Sequence, residues 1–470
     1  MGTQGNLLSR RNFLKVTGVG AVGAWLAACS APTAAPDGDD AGTGSVSAAA
    51  TELTISTDWN VGPRKEFMDQ ITAKYMEENP DTEVEIWHLG GGNTSSSMMD
   101  VVVTQLLTGT SADVIMGWGL MLFERRESLA DITEQMEMLG INVKEDYYHS
   151  TEACYTPDGR LYGVPWGHSV SGWIYNKTMF DEAGIDEPTE EWDWWDMVDA
   201  ARELTNLDAG IYGVEAYRHH SSSAHEHMAA AGGTYRTQDG TRTNMNTEAA
   251  VAVFERYISL IFEERIAPDP AEATALAGTT NAFAAGHIAM RPQLIHNVGG
   301  MARDVADRFE WGVMPTPKDP DTGVASNFEL TEPWFVAQDT LERGTYEQAC
   351  KLAALLVSDT GQQLLIQTGA FMPGKKGWLD DPTFLEPLPH NKEQIKKNLE
   401  TNLRMPQMYF TQWAEWFNAY YTQTLTAAWT GETSAAETLH NACAAGDAVL
   451  AKYTPEPWSY DYGFYPEVGY

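Results

Sequence analysis

The chain has 470 residues, 43 % of them hydrophobic, with 66 acidic against 30 basic side chains and a formal charge of −36. That length holds two or three domains, and so negative a field repels nucleic acid and anionic headgroups, which excludes a nucleic-acid-binding role. Four cysteines without CxxC spacing argue against a zinc centre or a disulfide framework, so Cys154, Cys350 and Cys443 are expected to be buried free thiols.

At the N-terminus, Ser9-Arg10-Arg11-Asn12-Phe13-Leu14-Lys15 precedes an apolar run from Val16 to Ala28, followed by Cys29. A cationic segment before a short apolar stretch reads as a secretory signal, and the paired arginines as a twin-arginine address. The run is short for a bilayer span, which needs roughly 20 residues. Leu26-Ala27-Ala28-Cys29 resembles a bacterial lipobox, which implies cleavage before Cys29 and a diacylglycerol on its sulfur. Residues 1–28 are then a lipoprotein signal peptide, and the 442 residues left carry a formal charge of −39. Residues 29–51, rich in Ala, Gly, Ser, Pro and Asp, read as a tether with a reach of roughly 25 Å.

The folded body opens with a strand pattern, Glu52 to Thr57, and a helix from Pro63 to Asn79 with Phe67, Ile71 and Tyr75 on one face. A second strand, Glu83 to Leu89, a helix around Met98 to Leu107 and a short buried strand, Ala112 to Met116, follow. This is the βαβ grammar of a mainly parallel sheet. It recurs with a strand over Ser171–Tyr175, a helix from Trp194 to Thr205 with Asp193 as N-cap, a strand over Ile211–Val214 and a helix from Thr247 to Phe262 striped by Val251, Phe254, Ile258 and Ile261. Two such units suggest two lobes. Asp319-Pro320-Asp321-Thr322-Gly323 reads as a turn, since it lacks the distal glutamate of a calcium loop.

Ligands of doubly wound sheets sit beyond the carboxyl ends of the strands. That rule selects Asp58, Trp59 and Asn60 after the first strand, and Gly117-Trp118-Gly119 after Met116. Sixteen tryptophans supply flat apolar faces of the kind on which sugar rings stack. His219, His220, His225, Glu226 and His227 are either metal ligands or part of a polar loop over the cleft, and their spacing is not HExxH.

From residue 52 onward the motif order resembles the family 1 extracellular solute-binding proteins, the capture subunits of sugar ABC importers. The motifs are Tyr162-Gly163-Val164-Pro165-Trp166 with Ile174-Tyr175-Asn176-Lys177; Phe180-Asp181-Glu182-Ala183-Gly184-Ile185; Trp192-Asp193-Trp194; Asn281-Ala282-Phe283 with Gly286-His287-Ile288-Ala289-Met290; Gly312-Val313-Met314-Pro315-Thr316-Pro317; and Thr368-Gly369-Ala370-Phe371-Met372-Pro373. The resemblance implies an α/β, two-lobed periplasmic-binding-protein-like type II fold, each lobe a mainly parallel sheet flanked by helices, hinged around a central cleft. Lobe 1 would take 52–166 and 318–368, and lobe 2 would take 167–317 and 369–470.

It also implies ligand contacts. Trp118 would be a stacking platform and Trp59 a second. Trp166, His168 and Ser169 lie in the first crossing between lobes. In the family a carboxylate often reaches the ligand there, and here Ser169 stands in its place; His168 is a neutral donor or a structural histidine. Glu332 and Trp334 would accept hydroxyls and stack. Of Trp413 and Trp416, which share a helix face, one would enter the cleft and the other pack. His296, with Gln293, replaces a family tryptophan after Met290.

The function implied is extracytoplasmic capture of a mono- to oligosaccharide and its delivery to the permease subunits of an ABC importer. The protein would be a monomer without cofactor or catalysis, lipid-anchored on the outer face of the cytoplasmic membrane. The alternatives are a binder of a non-sugar polar solute (a polyol, an amino compound, a glycerol phosphodiester) or a secreted metal-dependent enzyme. A glycoside hydrolase would need two carboxylates roughly 5 to 10 Å apart, and no motif proposes the pair.

Overall fold

The computed structural model describes residues 50–89, 95–117, 125–148, 151–156, 158–216, 224–406, 410 and 412–455. The signal peptide, Cys29, nearly all of the tether, Trp118, His219 and His220 lie outside them. No helix among the described residues is long and apolar enough to cross a membrane.

The strands are β1 (Thr51–Thr57), β2 (Thr82–His88), β3 (Val114–Met116), β4 (Gly163–Asn176), β5 (Tyr212–Val214), β6 (Ile288–Leu294), β7 (Trp311–Met314), β8 (Ser326–Val336) and β9 (Leu403–Pro406). Their order is β2-β1-β3-β8-β4-β6-β5, with β7 on β4 and β9 on β8. The βαβ units pair parallel, as β1–β2, β1–β3 and β5–β6, while the long strands β4 and β8 pair antiparallel with each other and with β3, β6 and β7. The expected parallel grammar therefore holds in the units, and two connecting strands make the sheet mixed.

Apolar periodicity explains the layers. Leu53, Ile55, Val114, Met116, Val164, Trp334 and Val336 join Phe67, Met68, Ile71 and Tyr75 of the helix Gly62–Glu78 in one core cluster. Ile115 and Phe335, one residue out of phase, face Met98, Val102 and Leu106 on the opposite side. Further along β4 the same alternation sends Trp173 and Tyr175 to a second cluster and Val170 and Ile174 to a third. The chain thus changes core within β4, between Trp166 and Val170. It changes back within β8, between Phe328 of the second cluster and Trp334 of the first. Lys318, expected to open the second stretch of lobe 1, exchanges backbone hydrogen bonds with Trp192 and Trp194 instead.

Local signals act as elementary chemistry dictates. Asp193 caps the helix Trp194–Leu204 in a capping box with Asp196. Asp319 Oδ1 accepts from the backbone N–H of Asp321 and Thr322 at 3.1 and 2.9 Å, which makes the expected turn. Cys154, Cys350 and Cys443 are buried and form no disulfide among the described residues, and burial pushes the thiols of Cys350 and Cys443 up to about 12.

Candidate ligand-binding site

β1 and β3 run parallel and end side by side, so the segments that leave them open onto one edge of the sheet. After β1, the Trp59 N–H donates to Thr57 Oγ1 at 3.0 Å, which fixes the turn that buries the indole. Trp59 meets Trp166 of β4 edge-to-face at 4.8 Å and stacks on Phe371 at 6.1 Å; Trp166 meets Phe371 at 4.4 Å. His296, from the turn Ile295–Asn297 that follows β6, lies flat on Phe371 at 4.4 Å and 10°. The nest is close because of Gly167: a Cβ there would sit 2.6 Å from the Phe371 ring, and a β-bulge between Pro165 and Gly167 turns the strand at that point.

The polar rim comes from three elements. The Arg64 guanidinium, in the first turn of Gly62–Glu78, lies 5.5 Å from the Trp59 ring centre and 5.7 Å from that of Phe371. Glu332 stands across from Gly167 on β8. Asp58 and Glu332 both feel the Arg64 charge. Burial raises the Glu332 carboxyl to about 8, against the pull of Arg64 and with the push of Asp58. Glu332 still keeps a partly exposed surface, so its carboxyl is enclosed by protein at the edge of the cleft rather than sealed in the core. Asp58 is also raised by burial, and burial lowers the Arg64 guanidinium against the support of both acids.

Of the residues singled out in the sequence, the structure brings Trp59, Trp166, His296 and Glu332 together, with half-buried Asn60 directly after Trp59. His168 and Ser169 occupy the β4 positions opposite Thr331 and Leu330. Trp334 is fully buried in the first core cluster, opposite Met116 and Val164. Trp413 and Trp416 belong to the second cluster. Trp416 donates its Nε1–H to Thr243 at 2.9 Å and stacks on Tyr420 at 4.6 Å, and Trp413 packs against Tyr235 at 5.4 Å. Phe371 belongs to a motif without an assigned role, and Arg64 enters the sequence reading only as a cation that would suit an anionic ligand were it to face the cleft.

The histidine segment differs from a loop over the cleft. His225, Glu226 and His227 are buried in the helix Ala224–Ala230. His227 Nε2 lies 2.8 Å from the Pro317 carbonyl, which can only accept, so Nε2 carries the proton and Nδ1 accepts from Tyr257 OH at 2.6 Å. His225 Nε2 meets Tyr420 OH at 3.1 Å, and burial lowers its pKa to about 4. Aromatic neighbours, not polar solvent, pull this segment inward. Among the described residues no group of three His, Cys, Asp or Glu side chains could hold a metal ion.

A family model described as bacterial extracellular solute-binding protein matches residues 60–363. Among solved structures, the Listeria monocytogenes ABC substrate-binding protein Lmo0181 in complex with cycloalternan is 20 % identical, covers 86 % of this chain and 99 % of its own, and superposes with a TM-score of 0.70. Maltose-bound MalE3 of T. maritima is 19 % identical over 86 % of this chain and 100 % of its own, also at 0.70. UgpB of Mycobacterium tuberculosis in complex with glycerophosphocholine is 17 % identical over 86 % and 99 %, again at 0.70. At such identities the likeness establishes a shared fold.

Proposed function

Since the chain belongs to the bacterial extracellular solute-binding proteins, we propose that it captures a carbohydrate outside the cytoplasm and hands it to the permease of an ABC importer by closing a cleft on it. The observation that carries this reading is the nest of Trp59, Trp166 and Phe371 rimmed by Asp58, Arg64, Glu332 and His296. Carboxylates and a guanidinium bind hydroxyls in pairs, and the packed rings beneath them hold those groups at the edge of the cleft. Two lobes, joined where β4 and β8 pass from one core to the other, supply the moving parts. Closure is driven by contacts that only the closed form makes.

The remaining assignments extend that reading. Trp118 is assigned to the same ligand from its place after the strand Val114–Met116 in the sequence, His168 and Ser169 from their positions on β4, and Trp334 backs the site from the core. Trp413 and Trp416 brace the facing lobe. The twin-arginine motif and Cys29 support a lipid anchor on the outer face of the cytoplasmic membrane, where the protein works as a monomer. It has no catalytic residues and no cofactor.

A thermal-shift panel of saccharides and polyols tests the function. A saccharide at 100 times its Kd stabilises the protein by about 2.7 kcal/mol. A panel in which polyols or amino compounds shift the melting temperature and no saccharide does would overturn the carbohydrate reading.

A further inference from the structure

The rings of the nest are not bare. Trp59 and Trp166 are each 2 % exposed, and the part of the nest that reaches the cleft already holds a cation, the Arg64 guanidinium. Around that cation stand two carboxylates, Asp58 from the loop after β1 and Glu332 from β8. Among the described residues, the other titratable side chain on the nest is His296, flat on Phe371. Among these described groups one guanidinium faces two carboxylates, so with both acids ionised a single negative charge is left over in a partly enclosed apolar setting, where an uncompensated charge is costly. In the empty site a proton on Glu332 relieves that cost.

A second observation points to oxygen on the same solute. Trp166 Nε1–H is buried and has no hydrogen-bond partner among the described residues. A buried donor of that kind costs about 1–3 kcal/mol until an acceptor reaches it. A hydroxyl or ring oxygen beside the nest would satisfy it.

We propose that the solute of this cleft is an amine-bearing saccharide, with its ammonium set against the carboxylate that Arg64 leaves uncompensated and one of its oxygens accepting from Trp166 Nε1. The charges then alternate across the rim: Asp58, Arg64, Glu332, ligand. Arg64 stays in place because each cation faces a carboxylate. When Glu332 meets the ammonium it gives up its proton to solvent, and no covalent bond changes. The whole-chain charge of −36 raises the local concentration of a cationic solute. This inference rests on the carbohydrate reading above and narrows it.

Isothermal titration calorimetry at pH 6.5, in two buffers of different ionisation enthalpy, separates the two claims. Glucosamine and fully deacetylated chitobiose are compared with glucose, N-acetylglucosamine and cellobiose, and choline serves as a cation without a sugar. The amine saccharides are expected to bind about tenfold or more tighter than their neutral counterparts, the worth of one charge-assisted contact, with release of about one proton. Glu332→Gln removes the preference and the proton release, and Asp58→Asn weakens the preference should the first variant fold poorly. Neutral sugars that bind as well as amine saccharides overturn the inference and leave the carbohydrate reading standing. A preference unchanged in both variants also overturns it. Choline binding without any saccharide binding, or silence across the panel, overturns both.

Discussion

Glu332 shows how one side chain links the stability of the empty protein to the chemistry of its site. Its carboxyl, with an ordinary value of 4.5, is raised to about 8, chiefly by burial. Below pH 4.5 it is protonated whether the chain is folded or not, and it adds no pH dependence. Between 4.5 and 8 the unfolded chain loses the proton while the folded chain keeps it, so folding stability falls with rising pH, at most by about 1.4 kcal/mol per unit. Above 8 the loss is complete and the slope ends. Glu332→Gln cannot ionise, so the variant gains on the parent from pH 5 to 8, by about 1–3 kcal/mol in all. Calorimetric melting of both proteins at pH 5, 6.5 and 8 reads this directly, and parallel pH profiles would refute it. At this scale the strand-end rule pointed to Asp58 and Trp59, because acids and indoles at the mouth of a sheet have few structural reasons to be there, while Glu332 followed only from the family resemblance. The seat of Arg64 on the rings and the role of Phe371 were not legible, because they arise from contacts between distant segments: a helix, a loop after residue 368 and the bare backbone of Gly167. His225 and His227 misled for the opposite reason: a cluster that looked like ligands is paid out singly to Tyr420 and to Tyr257 with Pro317.

Among the elements, regular amphipathicity was read well where one face is buried and poorly where more than one neighbour covers the element. The helix Gly62–Glu78 buries Phe67, Ile71 and Tyr75 as its spacing predicts, with Met68 and Thr72 beside them. The helix Glu248–Phe262 buries a wider arc of Ala250, Val253, Phe254, Tyr257, Leu260 and Ile261, while Val251 and Ile258 stay half-buried. It lies between Ala224–Ala230 and Ala435–Leu450, and the hydrogen bond from Tyr257 to His227 turns the arc toward the tyrosine. β4 was foreseen only from Ser171 to Tyr175, whereas it begins at Gly163. Gly163, Pro165 and Gly167 disguise a strand, yet Pro165 pairs with Pro333 where neither need donate to the ladder. End signals were the most local and the most readable. Asp193 accepts from the N–H groups of Trp195 and Asp196 at 2.7 and 3.3 Å, and Asp196 returns a bond to the Asp193 N–H at 2.9 Å. Asp193→Ala is expected to cost about 1 kcal/mol in urea unfolding without changing ligand affinity. A cost near zero would mean that packing of Trp194 and Met197, not the cap, holds the helix start.

Over the whole molecule, the fold class followed from motif order, which also set a lobe boundary at residues 166/167, beside the change of core between Trp166 and Val170; it set the return at residue 318, ahead of the change within β8, because a crossing strand has no composition of its own. The anchoring of the body is a matter for residues before the fold. With the twin-arginine address intact, Cys29→Ser is expected to move the exported protein from the membrane fraction to the soluble one, as read by fractionation and immunoblot; a variant still held by membranes would point to an uncleaved anchor. Within the body, the side of the β4/β8 ribbon nearer β9 is tied by a buried polar knot. Asn327 Nδ2 donates to the Ser171 carbonyl at 2.9 Å and to Thr316 Oγ1 at 3.0 Å, its Oδ1 accepts from Asn402 Nδ2 at 2.5 Å, and the Phe328 N–H donates to Ser171 Oγ at 2.7 Å. Ser171 belongs to β4, Thr316 follows β7 and Asn327 belongs to β8, so one amide joins segments more than 150 residues apart in sequence. Asn327→Ala would leave three buried polar groups without that partner, at about 1–3 kcal/mol for each group that water fails to reach. The loss falls where the two cores join, so the variant is expected to lower the urea midpoint and to broaden small-angle scattering of the ligand-free protein, because the ribbon bends from a looser base. Asn327→Asp keeps an acceptor for Asn402 but loses both donated bonds. If Asn327→Ala melts lower while its scattering stays that of the parent, the knot is a stability element alone and the bending of the molecule lies elsewhere along β4 and β8.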